Sequence, residues 1–463
     1  MSDVKAAIAF AARLHGQRAS TAYAGYVRRD PLALLRLPAG RANPYPVYDR
    51  IRAGGALVPT PLGNWMSASH RECHSVLRNR RFGVRPAEAG APTEPDESDL
   101  SLSGLSFLEM NPPDHTRLRR LALPSFSPKA VAAYRDRIAR TVDDLLTRAE
   151  AAGEFDLVSC FAAPLPIAVI TDLLGIPDAD AGEFARYGAV IGSALDGVKS
   201  LRHARQLQAS DAALRRLFAG LFELRRREPR DDIISRLVAA GDDQVGPDEI
   251  RPMCVLLLIA GFETTVNLIG NAVLALLGHP EQWRALCADP AAMAPKAVEE
   301  TLRYDPPVQL TSRVALEPLE VAGVAIRPGQ WVETLIGGAN RDPAVYDRPG
   351  TFDIHRVSTA DHLAFSSGIH YCIGQPLARL EATIALQTLA ERMPGLSHAG
   401  TVRRRNTTTI RGLARLPVST GAAPRSLPIP VPRPVPVAGG AARALPGSGW
   451  PAGRSPGRQG RSR

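Results

Sequence analysis

The chain has 463 residues, 45% of them hydrophobic, enough to bury a large core and to set it apart from disordered proteins. Its formal net charge is +10, but seven of those charges are Arg425, Arg433, Arg443, Arg454, Arg458, Arg461 and Arg463, beyond Val418, where no Asp or Glu occurs. The nearly balanced body gives no ground for a phosphate-tracking surface, so no nucleic-acid partner is expected.

In chain order, the first apolar run is Ala6 to Ala12, too short to cross a bilayer and without the pattern of a cleaved signal. Residues 1–42 read as a helical or extended lead-in, and no membrane association is expected. His70, Cys73 and His74 fall close together on a predicted helix. Three candidates without a fourth make an incomplete structural zinc site, and a helix surface is the simpler reading. The stretch Pro86 to Leu105, rich in Pro, Glu, Asp, Ser and Gly, reads as a long surface loop. Asn111-Pro112-Pro113-Asp114-His115-Thr116-Arg117-Leu118-Arg119-Arg120 then opens a helix with a basic face, on which His115 and Arg119 stand four residues apart.

From about residue 128 to 304 the pattern is helical, with Pro128 suited to a first turn and apolar residues recurring at three and four from Val131 to Ala149. The longest apolar stretch, Val255 to Phe262, meets Glu263, Asn267 and Asn271 and reads as a core helix. Within it, Ala260-Gly261-Phe262-Glu263-Thr264-Thr265 places an acid and a hydroxyl in apolar surroundings, where a charge needs a partner or a task. Taken locally, Thr264 bonds back to the Ala260 carbonyl and Glu263 finds a salt bridge. Glu300 and Arg303 share a helix face ended by Pro306-Pro307, a spacing that alone suggests only a surface ion pair. Between Glu317 and Thr334, Val321, Val324, Ile326 and Val332 alternate with turn signals at Gly323 and Pro328-Gly329, as in short hairpin strands.

The segment Phe365-Ser366-Ser367-Gly368-Ile369-His370-Tyr371-Cys372-Ile373-Gly374 sets one cysteine among glycines, and helix resumes from Pro376 to Arg392. A buried structural thiol fits this pattern; so does a thiolate stabilised by a tight turn and a following helix N-terminus. The five cysteines, Cys73, Cys160, Cys254, Cys287 and Cys372, are widely spaced with no Cys-x-x-Cys pair, which points to a reducing compartment and a cytoplasmic protein. Beyond Val418, a Pro-, Gly- and Arg-rich tail starting with Pro428-Ile429-Pro430-Val431-Pro432-Arg433-Pro434 reads as extended or disordered.

The cysteine segment resembles the ligand loop of the cytochrome P450 family, with Ser366 where the family usually has its first glycine. Four motifs stand in the family's order: the basic helix, the Glu-Thr helix, Glu-x-x-Arg and the cysteine loop. The resemblance covers about residues 43–418 and implies a mainly α fold with small β-sheets. Haem b would lie between the long central helix and the cysteine loop, its iron held by Cys372. The resemblance further implies that Phe365, Gly368 and Gly374 shape the loop, and that Ala260, Gly261 and Thr264 face the cofactor. His115, Arg119, Arg313 and His370 would meet its propionates. Glu263 and Thr264 would handle protons and dioxygen, with Thr264 bending the helix, and Arg356 would join Glu300 and Arg303 in a buried structural network. Asn340-Arg341-Asp342-Pro343 is a further family-like stretch. The expected reaction is monooxygenation of a small lipophilic substrate by a monomeric enzyme. Electrons from NAD(P)H would come through ferredoxin reductase and a ferredoxin docking at Arg117, Arg120 or Arg379. Segments 84–108, 187–206 and 307–312, with Ile259, Ala260 and Ile410, are the candidates to line the pocket. A peroxide-driven peroxygenase and a non-catalytic haem sensor are the alternatives.

Overall fold

A computed structural model describes residues 2–61, 63–87, 106–177, 179–240, 244–357 and 360–421. Most of Pro86–Leu105 and nearly all of the arginine-rich tail therefore lie outside the described residues. One compact unit runs from Met1 to Arg425.

Helices dominate, and those that position the site are α1 (Ser2–Tyr26), α2 (His70–Arg78), α3 (Asp114–Ala122), α4 (Arg135–Ala152), α5 (Pro164–Leu174), α6 (Ala181–Ala194), α7 (Leu201–Arg227), α8 (Pro247–Gly278), α9 (Pro290–Tyr304) and α10 (Gln375–Arg392). Among the described residues, the helical run expected from 128 to 304 is broken once by a strand. Gly153, at φ +72°, ends α4, and Glu154–Asp156 pairs antiparallel with Pro417–Ser419. Left-handed backbone suits glycine, which has no Cβ to clash.

The long helix α8 is the axis of the molecule. Its start is set by Pro247 in the first turn and by Glu249, which accepts from the Gly246 N–H at 2.7 Å. By length and mean hydropathy, 1.8, it is apolar enough to cross a membrane, yet 78% of that apolar window is buried inside the protein. It is hydrophobic all round because other helices cover it. The helices packed on it include α5, α6, α9 and α10. At Gly261 the approach of α5 is so close that a Cβ would lie 2.7 Å from Ile170 Cγ1.

The strands are short. In chain order they include β1 (Val58–Pro59), β2 (Trp65–Ser67), β3 (Phe82–Gly83), β4 (Thr311–Ala315), β5 (Leu319–Val321), β6 (Val324–Ile326), β7 (Trp331–Thr334), β8 (Arg403–Arg404) and β9 (Leu413–Arg415). The largest sheet runs β1-β2-β7-β4-β3, and β5 and β6 form the hairpin expected around Gly323. Its own small core holds Val76, Phe82, Ala315 and Val332. Three helices, Ser2–Tyr26, Pro31–Arg36 and Pro38–Ala42, make up most of the stretch before residue 43, and Leu35 is buried with Tyr48, Ile51 and Met66.

Candidate functional site

The cysteine loop is a closed turn. Cys372 N–H donates to the Phe365 carbonyl at 2.9 Å, and Tyr371 N–H donates to Gly368 O at 3.1 Å. Gly368 has φ +71°, and a Cβ there would fall 2.4 Å from Leu77 O, so backbone of α2 fills the place of any side chain. Ser366 also has positive φ, +63°. The turn that glycine would make freely is thus kept by a residue that pays steric energy for it.

Cys372 sits just before α10, whose first turn begins at Gln375. Burial pushes its thiol up, opposed by the Gly374 and Gln375 N–H groups and by the charges of Arg119 and Arg379. Turn, helix N-terminus and two guanidinium groups all favour the thiolate.

Beside this loop lies a cationic cluster. His115 of α3 and His370 of the loop have ring centroids 4.2 Å apart. His115 is buried, and neither of its ring nitrogens has a hydrogen-bond partner; His370 Nε2 has none either. Burial, reinforced by Arg119 and Arg313, lowers the His115 pKa to about 4; burial, then Arg313, His115 and Arg119, lowers that of His370 to about 3. Arg119 donates to Tyr371 O, while Arg313 of β4 donates to Ser312 O at 2.8 Å and Thr311 Oγ1 at 3.2 Å. Burial alone pulls the Arg313 pKa down to about 10. Among the described residues no carboxylate pairs with Arg119 or Arg313. Orphaned ring nitrogens beside the buried Arg313 and the half-buried Arg119 are the chemistry that a pair of carboxylates would satisfy. The cluster fits the propionates of a haem.

On α8 the helix is α throughout residues 260–265, and Thr264 Oγ1 donates to the Ala260 carbonyl at 3.1 Å, the local bond expected from sequence. Ala260 is exposed, and Gly261 and Thr264 are half-buried, although Ile259, Phe262 and Glu263 are buried. Ala260 and the half-buried Thr264 therefore leave part of a covered helix open, which suits a flat macrocycle, whereas Gly261, expected at the cofactor, is turned to α5, where a Cβ would meet Ile170 Cγ1 at 2.7 Å. Glu263 turns the other way. It forms an ion pair with Arg405 and a contact with Asn267, and α6 covers it at Gly188 and Gly192, where Cβ atoms would lie 3.0 and 3.1 Å from its oxygens. Burial holds the carboxyl above its ordinary range, and Arg405 then Asn267 pull it back.

The pair Glu300–Arg303 is not at the surface. Both side chains are buried, and Arg303 makes two 2.7 Å bonds to Glu300, the fork-to-fork geometry that arginine offers a carboxylate. Arg356 adds a contact at 3.3 Å, and Asp353 N–H donates to Glu300 at 2.9 Å. Asn340, from the family-like stretch, donates to Leu302 O at 3.2 Å and accepts from Leu363 N–H at 2.7 Å, tying the end of α9 to the entry of the cysteine loop.

Other candidates separate from the site. His70 bonds Asp361 O at 2.9 Å, and Cys73 donates to Ser67 O at 3.3 Å with its thiol pushed up to about 12 by burial. Of the three arginines expected to meet an acidic partner, Arg120 is exposed. Arg117 is instead held by Glu249 at 2.7 and 2.9 Å, and Arg379 by Glu299 at 2.5 and 3.0 Å while lying over the Phe365 ring. Internal carboxylates compete for both. Among the pocket candidates, Ile410 and Val308 form an isolated antiparallel bridge, and residues 187–206 join the end of α6 to the start of α7. Arg405 escaped sequence reasoning, because its partner lies 142 residues away and the run Arg403-Arg404-Arg405 looks like any solvated strand.

The family model for cytochrome P450 matches residues 292–407. A putative cytochrome P450 140 of Mycobacterium tuberculosis is 39% identical over 89% of this chain and 97% of its own. The cytochrome P450 monooxygenase PikC of Streptomyces venezuelae is 38% identical over 81% of this chain and 91% of its own. The solved structure of P450BioI in complex with a hexadec-9Z-enoic acid ligated acyl carrier protein superimposes with a TM-score of 0.76 at 38% identity, covering 82% of this chain and 98% of that one.

Proposed function

Since the chain belongs to the cytochrome P450 family of haem-dependent monooxygenases, we propose that it hydroxylates or epoxidises a lipophilic small molecule of secondary metabolism. The haem, ligated by the Cys372 thiolate, would supply dioxygen activation and the oxygen atom inserted into substrate. Residues 43–418 form the haem domain in this reading, and the protein works as a cytoplasmic monomer.

The observation that carries the proposal is the cationic cluster beside the cysteine loop. His115, Arg119, Arg313 and His370 hold the propionates and fix the macrocycle, with Phe365, Gly368 and Gly374 shaping the loop. Ala260 lets α8 approach it closely, while Gly261 serves the packing of α5 on α8. Thr264 holds water at its hydroxyl, and Glu263 passes protons inward once it is free of Arg405. An acid beside an alcohol supports dioxygen as the oxidant over peroxide, because only the former requires protons delivered during reduction. Electrons come from NAD(P)H through ferredoxin reductase and a ferredoxin, with Arg120 the exposed contact. The 6-deoxyerythronolide B hydroxylase of Saccharopolyspora erythraea, 37% identical, supports a macrolactone-sized substrate.

The test starts with a compound library screened for a low-to-high-spin Soret shift. Hits are then turned over with ferredoxin, reductase and NADPH under isotopically labelled dioxygen. One labelled oxygen per product is expected. Turnover with hydrogen peroxide alone at the same rate would favour a peroxygenase, and no spin shift or product with any compound would favour a haem sensor.

A further inference from the structure

The hairpin of β8 and β9 touches three parts of the molecule that catalysis would use. Arg403 pairs with Arg415 and Arg404 with Leu413 across it. Its returning arm is seated on α8: a Cβ on Gly412 would fall 1.7 Å from Asn267 Oδ1, and Asn271 Nδ2 donates to Arg411 O at 3.2 Å. Next to its outgoing strand, Arg405 holds Glu263.

The turn between the two arms is gripped from elsewhere. Asp196, in the connector between α6 and α7, accepts from the N–H groups of Thr408 at 2.6 Å and Thr409 at 2.8 Å, one on each oxygen. Lys199 of the same connector donates to Asn406 O at 2.7 Å and lies 3.8 Å from Asp196. Arg18 of α1 in turn donates to Lys199 O. Both carboxylate oxygens of Asp196 are spent on one dipeptide, and the side chain is 12% exposed, so these are charge-assisted bonds largely out of water.

We propose that Asp196 is a positioning residue for Glu263: by clasping Thr408 and Thr409 it keeps the hairpin seated and Arg405 in place on the carboxylate, so that releasing the connector also releases the acid. The route is short. Only Asn406 and Thr407 separate Arg405 from Thr408, and among the described residues Asp196 and Lys199 are what tie this arm to the connector. Arg405 is the charged group facing Glu263; its own helix contributes Asn267, and α6 presents the glycines 188 and 192. Loss of the arginine alone therefore removes an opposite charge and keeps the burial, which moves the carboxyl towards its protonated form. A ligand that lifts the connector on its way in would thus set the proton state of Glu263.

The idea rests on Glu263 being the proton-delivering acid, but its test reads the proton itself. In the full-length haem-loaded protein, the carboxylic-acid C=O band lost in Glu263→Gln is followed by difference infrared spectroscopy across pH. Arg405→Gln is expected to shift the appearance of that band upward by about one pH unit or more. Asp196→Ala should shift it upward by less, and Asp196→Asn, which keeps one acceptor oxygen, should restore part of the difference. Stopped-flow binding of 4-phenylimidazole should accelerate severalfold in Asp196→Ala and stay near the parent rate in Arg405→Gln. Faster entry with an unmoved or downward-moved band in Asp196→Ala would overturn the coupling, as would an unmoved band in Arg405→Gln. Should Asp196→Ala not fold, Asp196→Ser carries the same comparison. Failure of the proposed oxidation reaction would leave these titrations readable, so the two ideas fail separately.

Discussion

The backbone N–H of Cys372 donates to the carbonyl of Phe365 at 2.9 Å, so the loop is closed by main chain and its side chains only tune it. Ser366 is the position where that tuning is costly. It holds φ at +63° and leaves its buried hydroxyl without a hydrogen-bond partner. Ser366→Gly is expected to raise stability by about 1 kcal/mol through relief of left-handed strain, read as a higher urea midpoint at unchanged slope. Gly368→Ala should do the opposite and cost haem occupancy, because its Cβ would strike Leu77 O.

Glu300 neutralises two guanidinium groups in a buried place. Glu300→Ala leaves Arg303 uncompensated and is expected to cost roughly 3–5 kcal/mol. The measurement is the thermal midpoint together with haem content. An Arg303→Lys variant should also lose stability, since an ammonium cannot reproduce the two parallel bonds; parent-like midpoints in both would contradict a buried network.

Acid should loosen the cluster at His115 and His370. Their folded pKa values, about 4 and about 3, lie below the ordinary imidazole value of about 6.5. The unfolded chain then binds more protons, so the stabilising contribution is complete above about pH 6.5 and drains away as pH falls towards the folded values. In haem-free protein, a His115→Gln, His370→Gln double variant should show a flatter dependence of its urea midpoint on pH across that window. Parallel curves for variant and parent would show that these imidazoles do not titrate on unfolding.

Ferredoxin docking is expected to depend on exposed charge. Turnover should fall as salt rises, and Arg120→Glu should weaken the apparent affinity for ferredoxin with little change at saturation. Arg117→Ala and Arg379→Ala are different in kind: each frees an internal carboxylate, so lower thermal midpoints are expected from them. Salt-independent rates would argue against charge-guided association.

What could be read from the sequence was whatever is local along the chain. The cysteine loop, the Glu263–Thr264 step and the Glu300–Arg303 turn are each complete within ten residues; helical periodicity located α4, whose buried face repeats, and α8 stood out as the longest apolar run. Strands of two or three residues such as β1 and β3 carry no period long enough to detect. Partners joined only by folding were out of reach. Arg117 and Arg379 looked available because Glu249 and Glu299 are distant in sequence, and Arg405 and Asp196 carry no motif at all. Charge tells that a partner is needed, and topology alone tells which one it is.

The strand Glu154–Asp156 finds its neighbour in Pro417–Ser419, over two hundred and fifty residues later. On the ribosome, the middle of the protein must wait, with α8 covered by α5 and α6 but bare where α9 and α10 will pack, until α10 and that last strand have been synthesised. A pairing so remote delays completion of the native state and prolongs the interval in which misassociation competes. Slowing translation between residues 280 and 400 should therefore lower the soluble yield, and a holdase chaperone supplied during that interval should restore it.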